Sequence, residues 1–400
     1  MNNNFSSKKN IIVVGSGWAG TVIARQLAEQ NNRTIKLIEK RNHIAGNMYD
    51  EIDKYGILVQ RYGPHYFCTN NFNIVKYVKN FCNLYEHVFK VTSFVDGKHI
   101  CCPYNFTTVK QLVGEEKAAL LYNKFRYNFK GQDTVSMYDL IQCSDNDIVE
   151  YANLLYEKVY KNYIAKMWGL SPEKIDRSVV DRTQVFMNYS ERKGGLDFYY
   201  LPADGYTTMF NKILTHKNIQ ITMNTDALKY ITFNNDNNSV LYDNQQIDCL
   251  VFTGPIDELF NYKYGVLPYR ALDIRFTHHK KESVLPTEVV YYPQNERYIR
   301  QTEYRKMMTN QSKCKGTVIS TEISMEYNKN AEIGNEPYYP VLTSESKEMY
   351  EKYCIEAEKY KNLFLCGRLA NFRYYDMDTC IAKALETSDI INIYLDNINL

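Results

Sequence analysis

Six residues near the start carry the clearest chemistry: Gly15-Ser16-Gly17-Trp18-Ala19-Gly20. In such a G-x-G-x-x-G run the first glycine permits a tight turn. The second lets backbone approach a pyrophosphate, and the third lets a helix lie close on a strand. Ser16 and Trp18 complete this loop, and Glu39 stands where an acid accepts hydrogen bonds from an adenosine ribose. The chemistry on offer is the binding of a dinucleotide by N–H groups at a helix N-terminus.

The elements that must position this loop are legible around it. Residues 11–15 (IIVVG) read as a buried strand, 19–30 as a helix and Ile35–Glu39 as a second strand, a β-α-β unit. Residues 106–193 look mainly helical, with Tyr151, Leu154, Leu155, Val159 and Tyr163 at helical spacing. Ser171-Pro172-Glu173 predicts the N-cap and first turn of another helix. From about 265 to 325 the pattern becomes β-like, as in Ser283–Tyr292 and Gly316–Ile323. Leu363–Cys366 predicts a strand, and Asp378–Asn392 a closing helix. A nucleotide domain made from both chain ends, with insertions between, is the expected architecture.

Bulk composition narrows the function further. The 400 residues include 48 basic and 46 acidic ones, a net charge of +2, so there is no basic field for nucleic acid. An anion site here requires local arginines. The first ten residues lack the apolar stretch of a signal peptide, and no hydrophobic run is long enough for a bilayer. A cytoplasmic protein without membrane insertion is expected. Ten scattered cysteines include no C-x-x-C pair, which argues against a metal cage or a disulfide framework.

Beyond Glu39, the run Lys40-Arg41-Asn42-His43-Ile44-Ala45-Gly46-Asn47 resembles the E-(K/R)-x-x-x-x-G-G-x segment of glutathione-reductase-type FAD proteins. Ala45 stands in place of the first glycine of that segment. Cys366-Gly367-Arg368 before a helix is a second similarity to such flavoproteins. The resemblance implies FAD rather than NAD. It implies that Lys40, Gly46, Asn47, His65, Arg368, Asp376 and Met377 line the cofactor, with Arg368 reaching its pyrophosphate.

The segments VVGSGWAG, IEKRNHIAGNMYDE, RYGPHYFCTNN, KMWGLSPEKIDR, LPADGYT, FTGPIDELFNYKYGVLPYR, EIGNEPYYPV and CGRLANFRYYDM together resemble the bacterial UDP-galactopyranose mutases, in family order, across nearly the whole chain. The resemblance implies an α/β fold in three parts. An FAD-binding Rossmann-like domain would use residues 1–85, 203–264 and 346–400, and a helical bundle residues 106–193. An antiparallel sheet domain would use residues 86–105, 194–202 and 265–345. It implies interconversion of pyranose and furanose rings of a nucleotide-diphosphate sugar through a flavin N5–sugar adduct, with no net redox. The flavin would be active when reduced, by an external reductant such as NADPH, in a homodimer. A leaving diphosphate needs cations, and arginine suits phosphate; the implied set is Arg182, Arg270 and Arg300. Tyr327 and Tyr374 match diphosphate-binding tyrosines, Tyr163 and Trp168 nucleotide-pocket aromatics, and His65 and Asp376 flavin-side residues. Arg182, Arg300, His65 and Asp376 form the expected catalytic set. A flavin oxidoreductase of the amine-oxidase or desaturase type, and a non-catalytic FAD-binding module, share the dinucleotide fingerprint.

Three positions depart from the family. Cys68 stands for a histidine, Phe89 for an asparagine near the sugar, and Lys193 roughly for a phosphate-side tyrosine. The first two exchange good hydrogen-bonding groups for weak or apolar ones. That pattern suits UDP-galactopyranose less well than a relative lacking the C6 hydroxyl, such as UDP-L-arabinopyranose, or a 6-deoxy sugar such as fucose.

Overall fold

The computed structural model describes residues 8–30, 33–176, 184–190 and 196–398. The apolar run at its start becomes the strand Lys9–Val14, the centre of a five-stranded sheet. Arg33–Ile38 and Cys249–Phe252 flank it, with Ile219–Thr222 and Leu363–Leu365 outermost, and every pairing is parallel. The helix Trp18–Ala28 follows the first strand, and the closing helix Met377–Asn397 packs against it. Strands from opposite ends of the chain therefore build one Rossmann-like sheet. Gly20 makes the close helix–strand contact possible: a Cβ there would lie 1.9 Å from the Gly15 carbonyl oxygen.

The second large element is a seven-stranded sheet. Its order is Tyr339–Pro340, Tyr269–His279, Thr317–Glu326, Arg300–Glu303, Val289–Tyr291, Val91–Val95 and Lys98–Cys102. It is antiparallel except where Val289–Tyr291 runs parallel to Val91–Val95. The β pattern expected over Ser283–Tyr292 becomes strand only at Val289–Tyr291. The reason is the fully buried Glu303, whose carboxylate accepts hydrogen bonds from the backbone N–H groups of Val284 (3.0 Å) and Leu285 (2.9 Å) and draws that stretch out of a ladder. Phe198–Pro202 pairs with Phe67–Thr69 and Leu84–Glu86 in a separate three-stranded sheet.

The helical part holds Phe106–Val113, Glu115–Asn128, Met137–Ile141 and a long helix from Asn146 to Trp168. Tyr151, Leu155 and Val159 face its core as their spacing predicts. A π turn at Tyr156–Tyr160 interrupts the long helix, and its i→i+5 bonding admits an extra residue that hydrophobic spacing does not reveal. Two short strands, Thr134–Ser136 and Gln184–Phe186, also pair within this region. The helix expected after Ser171 is only the 3₁₀ turn Pro172–Lys174; the Ser171 side chain does not cap it, and the chain is extended again by Ile175. Among the described residues no helix is long and apolar enough to cross a membrane.

One local strain sits beside the glycine loop. Ala45 adopts φ 75°, ψ 0°, the left-handed region, at the position where the flavoprotein segment that it resembles has glycine. That conformation costs alanine about 1–2 kcal/mol, against about 0.5–1 kcal/mol of backbone entropy that glycine would forfeit on folding. Ala45→Gly is therefore expected to raise stability by roughly 0.5–1 kcal/mol, read as a rise in the denaturant midpoint. Gly46→Ala should lower it, because φ is +54° and its Cβ would meet the Gly17 Cα at 2.9 Å. The explanation fails if the first change lowers the midpoint.

Candidate active site

The loop after the first strand opens into a groove lined by Gly15, Ser16, Gly17, Trp18, Glu39, Lys40, Gly46 and Asn47 on one side. Glu336, Pro337 and Tyr338 line it from the sheet domain, and Gly367, Arg368, Asp376 and Met377 from the closing strand–loop–helix. Its free volume is about 240 Å³. Gly17 and Gly46 approach with bare backbone, so no side chain obstructs the floor. The helices Trp18–Ala28 and Met377–Asn397 both begin in the groove, and neither N-cap residue, Gly17 or Asp376, caps its helix through a side chain. Two helix N-termini that point N–H groups and positive dipole ends at one groove make an anion site. Trp18 lines the same wall, and its buried indole N–H has no protein partner among the described residues. These residues suit the anionic pyrophosphate of a dinucleotide such as FAD.

Glu39 is fixed for its expected task. Its carboxylate accepts from the N–H (2.9 Å) and Oγ (2.6 Å) of Ser16 and from the N–H of Arg41 (2.9 Å). Ser16 thus serves the groove indirectly, by orienting Glu39. Arg41 leaves the groove floor to pair with Glu336 (2.5 Å) and donates to Asn47 Oδ1 (3.1 Å), tying the Rossmann loop to the sheet domain.

At the other end of the groove the expected flavin-side residues meet. His65 is half-buried; its Nδ1 lies 2.8 Å from the Gly63 carbonyl oxygen, so Nδ1 carries the proton and Nε2 remains an acceptor. Burial, with the charges of Arg368 and Arg300, pulls its pKa down to about 3. Arg368 donates to the carbonyl oxygens of Tyr375 (2.5 Å) and Tyr338 (3.2 Å), and its guanidinium lies over the rings of Tyr374 (4.8 Å) and Tyr339 (5.2 Å). It lines the groove in an aromatic bracket.

Next to this lies an arginine held by a carboxylate. Arg300 and Glu322 face each other across neighbouring strands and pair through two bonds, one of them Nε to Oε1 at 2.9 Å. Glu322 is fully buried. Burial opposes the guanidinium charge, but Glu322 and the tyrosines Tyr291 and Tyr339 hold it protonated. Tyr163 meets Tyr291 edge-on at 5.5 Å, and burial pushes its phenol far up, so it stays a neutral donor. Tyr374 stacks on Tyr339 at 5.4 Å, and Trp168 meets both edge-on at 6.1 and 6.4 Å. The fold thus gathers Tyr163, Trp168, Arg300, Arg368, Tyr374 and His65 from four stretches of sequence.

This gathering sits in a chain whose residues 158–374 match the family model described as UDP-galactopyranose mutase, and whose residues 13–82 match that of an NAD(P)-binding Rossmann-like domain. A probable UDP-galactopyranose mutase of Klebsiella pneumoniae is 32% identical over 389 residues, covering 96% of this chain and 94% of that protein. The chain belongs to the UDP-galactopyranose mutase family. A dTDP-fucopyranose mutase of Escherichia coli is similarly related, 31% identical with 95% of this chain and 97% of that protein covered. A crystal structure of reduced UDP-galactopyranose mutase shares the fold, with a TM-score of 0.69 at 14% identity, covering 96% of this chain and 94% of that one. The protein is an isomerase of the mutase type.

Other residues singled out by the family resemblance stand elsewhere or in other company. Arg270 donates to the carbonyl oxygens of Met167 (3.0 Å) and Lys166 (3.4 Å), capping the helix that carries Tyr163 and Trp168. Tyr327 donates to Glu258 (2.7 Å), itself part of the groove wall. Cys68 faces Tyr199 across a strand pair, and Phe89 stacks on Tyr66 at 3.8 Å with Tyr199 at 6.2 Å, so both departures from the family meet around one tyrosine. Arg182 and Lys193 lie outside the described residues. Sequence reasoning missed Glu322, Tyr291 and Tyr339. Glu322, an acid inside the apolar strand Thr317–Glu326, was the available signal, but its partner depends on strand register.

The His65 environment has a pH consequence. An imidazole neutral in the fold down to about 3, against an ordinary 6.5, contributes stability that is complete above pH 6.5 and lost as pH falls toward 3. At pH 5 the loss is roughly 2 kcal/mol, at about 1.4 kcal/mol per unit. Between pH 7 and pH 5 the denaturant midpoint of His65→Gln should therefore fall less than that of wild type. Equal falls would mean that His65 is not held neutral.

Proposed function

We propose that this chain interconverts the pyranose and furanose forms of a nucleotide-diphosphate sugar, with FAD in the reduced state as cofactor. The observation that carries the reading is the Arg300–Glu322 pair set among Tyr163, Tyr291 and Tyr339 beside the inner end of a dinucleotide groove. A bound reduced flavin supplies the nucleophile for the anomeric carbon and returns without net redox change. The protein's work is then positioning and charge. Glu322 occupies the Nε–Nη edge of the Arg300 guanidinium, which fixes its plane and leaves the remaining N–H groups for a diphosphate. Arg182 adds the second cation, and Tyr163 and Tyr374 donate neutral hydrogen bonds. Neutral His65 offers Nε2 as an acceptor without adding charge beside Arg368, and Trp168 offers a face to the nucleotide base. Glu39, Gly17 and the two helix N-termini hold the adenosine and pyrophosphate of FAD. We infer a cytoplasmic homodimer that draws electrons from a reductant such as NADPH.

For the sugar, UDP-galactopyranose or a relative without the C6 hydroxyl, such as UDP-L-arabinopyranose, fits best. The similar identity to a galactopyranose and a fucopyranose mutase leaves the sugar open, and the composition of the Cys68–Tyr199–Phe89–Tyr66 wall favours the less polar one. Beside Cys68 and Phe89 a hydroxymethyl group loses water and finds neither an imidazole nor an amide to bond, at about 1–3 kcal/mol.

Three experiments test this. Dithionite-reduced protein should interconvert UDP-sugars without consuming reductant stoichiometrically, and oxidised protein should not; net oxidation of substrate under oxygen would favour the amine-oxidase-type alternative. Arg300→Lys keeps a cation beside Glu322 but loses the fork. It should lower kcat/KM by about tenfold or more with flavin retained, whereas a flavin-bound variant of wild-type efficiency would remove Arg300 from the site. Across substrates, wild-type kcat/KM for UDP-L-arabinopyranose should equal or exceed that for UDP-galactopyranose. Cys68→His with Phe89→Asn should move the ratio toward galactose by about tenfold, the equivalent of about 1.4 kcal/mol. A wild-type preference for UDP-galactopyranose that the double change leaves untouched makes both residues bystanders.

A further inference from the structure

Three carbonyl oxygens of one loop converge on a single ammonium. The strands Val289–Tyr291 and Arg300–Glu303 form a hairpin whose connection runs from 292 to 299. Lys166, on the helix that carries Tyr163 and Trp168, donates from Nζ to the carbonyl oxygens of Tyr292, Glu296 (3.0 Å) and Tyr298 (3.3 Å). Carbonyl groups turned toward protein rather than water need donors, and no single uncharged side chain supplies three N–H groups to one point. Burial pulls the Lys166 ammonium down to about 8, so a cation here is held against a solvation cost.

The hairpin so held is the one that delivers the site. Tyr291 is its last residue before the loop and Arg300 its first residue after it. Tyr291 meets Tyr163, and Arg300 meets Glu322. Lys166 and Tyr163 lie one helical turn apart, so they share a face. A second tie acts at the loop's other flank. Gln294 donates to Asp96 (2.9 Å) and accepts from its N–H (2.9 Å), and Lys158 pairs with the same aspartate. Lys158 lies in the π turn, whose added residue brings it nearer the face of Lys166 than regular α spacing does.

We propose that Lys166 is a positioning residue for the substrate site, an ammonium brace that sets the Tyr291–Arg300 hairpin at working distance from Tyr163 on the helix. This rests on the reading that Arg300 faces the substrate's diphosphate. An arginine displaced from a diphosphate contact made in both ground and transition states weakens binding more than turnover. The brace therefore belongs to KM.

The test compares FAD-loaded wild type with Lys166→Met, Lys166→Arg and Arg300→Lys, using UDP-galactopyranose as the probe. Lys166→Met should raise KM about tenfold, leave kcat within about threefold and leave FAD affinity unchanged. Backbone hydrogen exchange should quicken about tenfold or more at Tyr292 and Ile299, whose N–H groups bond within the hairpin and to Glu322 (2.9 and 2.8 Å). Lys166→Arg, which restores a cationic donor, should recover most of the KM. Should Lys166→Met fail to accumulate, Lys166→Gln is measured the same way and should fall between wild type and that pattern. An unchanged KM or unchanged hairpin exchange, with Arg300→Lys still impaired, overturns the brace and spares the site. If Arg300→Lys is silent as well, the reading of the site itself fails.

Discussion

The structure depends on the contact between Gly20 and the backbone of Gly15. Because no side chain intervenes, the first helix lies on the first strand closely enough for its N-terminus to open at the strand's end. Everything in the groove is referred to that point. Gly46 meets Gly17 across the floor, Ser16 orients Glu39, and the closing helix packs against the first helix so that a second N-terminus reaches the same space. Close backbone contacts of this kind tolerate no added atom, and they fix the dinucleotide-binding end more rigidly than any set of side chains could.

The substrate end is organised by charge. Arg300, Arg368 and Glu322 together carry one net positive charge; His65 beside them is held neutral, and burial pushes the phenols of Tyr163 and Tyr339 above their ordinary range. Burying Arg300 or Glu322 without the other would carry a large desolvation cost. The pair lets a guanidinium stand in a dry wall with its orientation already chosen. An anion arriving there would meet a preorganised cation rather than a flexible one.

How much of this was legible beforehand followed from sequence distance. The β-α-β unit and Glu39 are local, so periodicity and spacing disclosed them. The helix Asn146–Trp168 was disclosed by its apolar stripe, but its π turn was not, because one added residue leaves the stripe nearly intact. The Ser171 helix was wrongly expected, since a serine–proline pair marks a 3₁₀ turn as readily as a helix. Arg300 was reached through motif resemblance, whereas Glu322 was not: their pairing is a matter of which residues face each other in a seven-stranded sheet, and nothing in either strand alone specifies that register.

The interleaving of chain ends in the Rossmann-like sheet bears on the order in which the molecule can be made. The glycine loop is synthesised more than 300 residues before the strand Leu363–Leu365 and the helix Met377–Asn397, and its groove lacks a wall until they have been added. A nascent chain still tethered to the ribosome therefore exposes half a binding site through most of its translation. The helical and antiparallel parts, whose strands and helices are complete before Glu326, except for Tyr339–Pro340, can collapse earlier. Until those elements are made, the chain carries the nucleotide motif with only part of the groove that the motif faces.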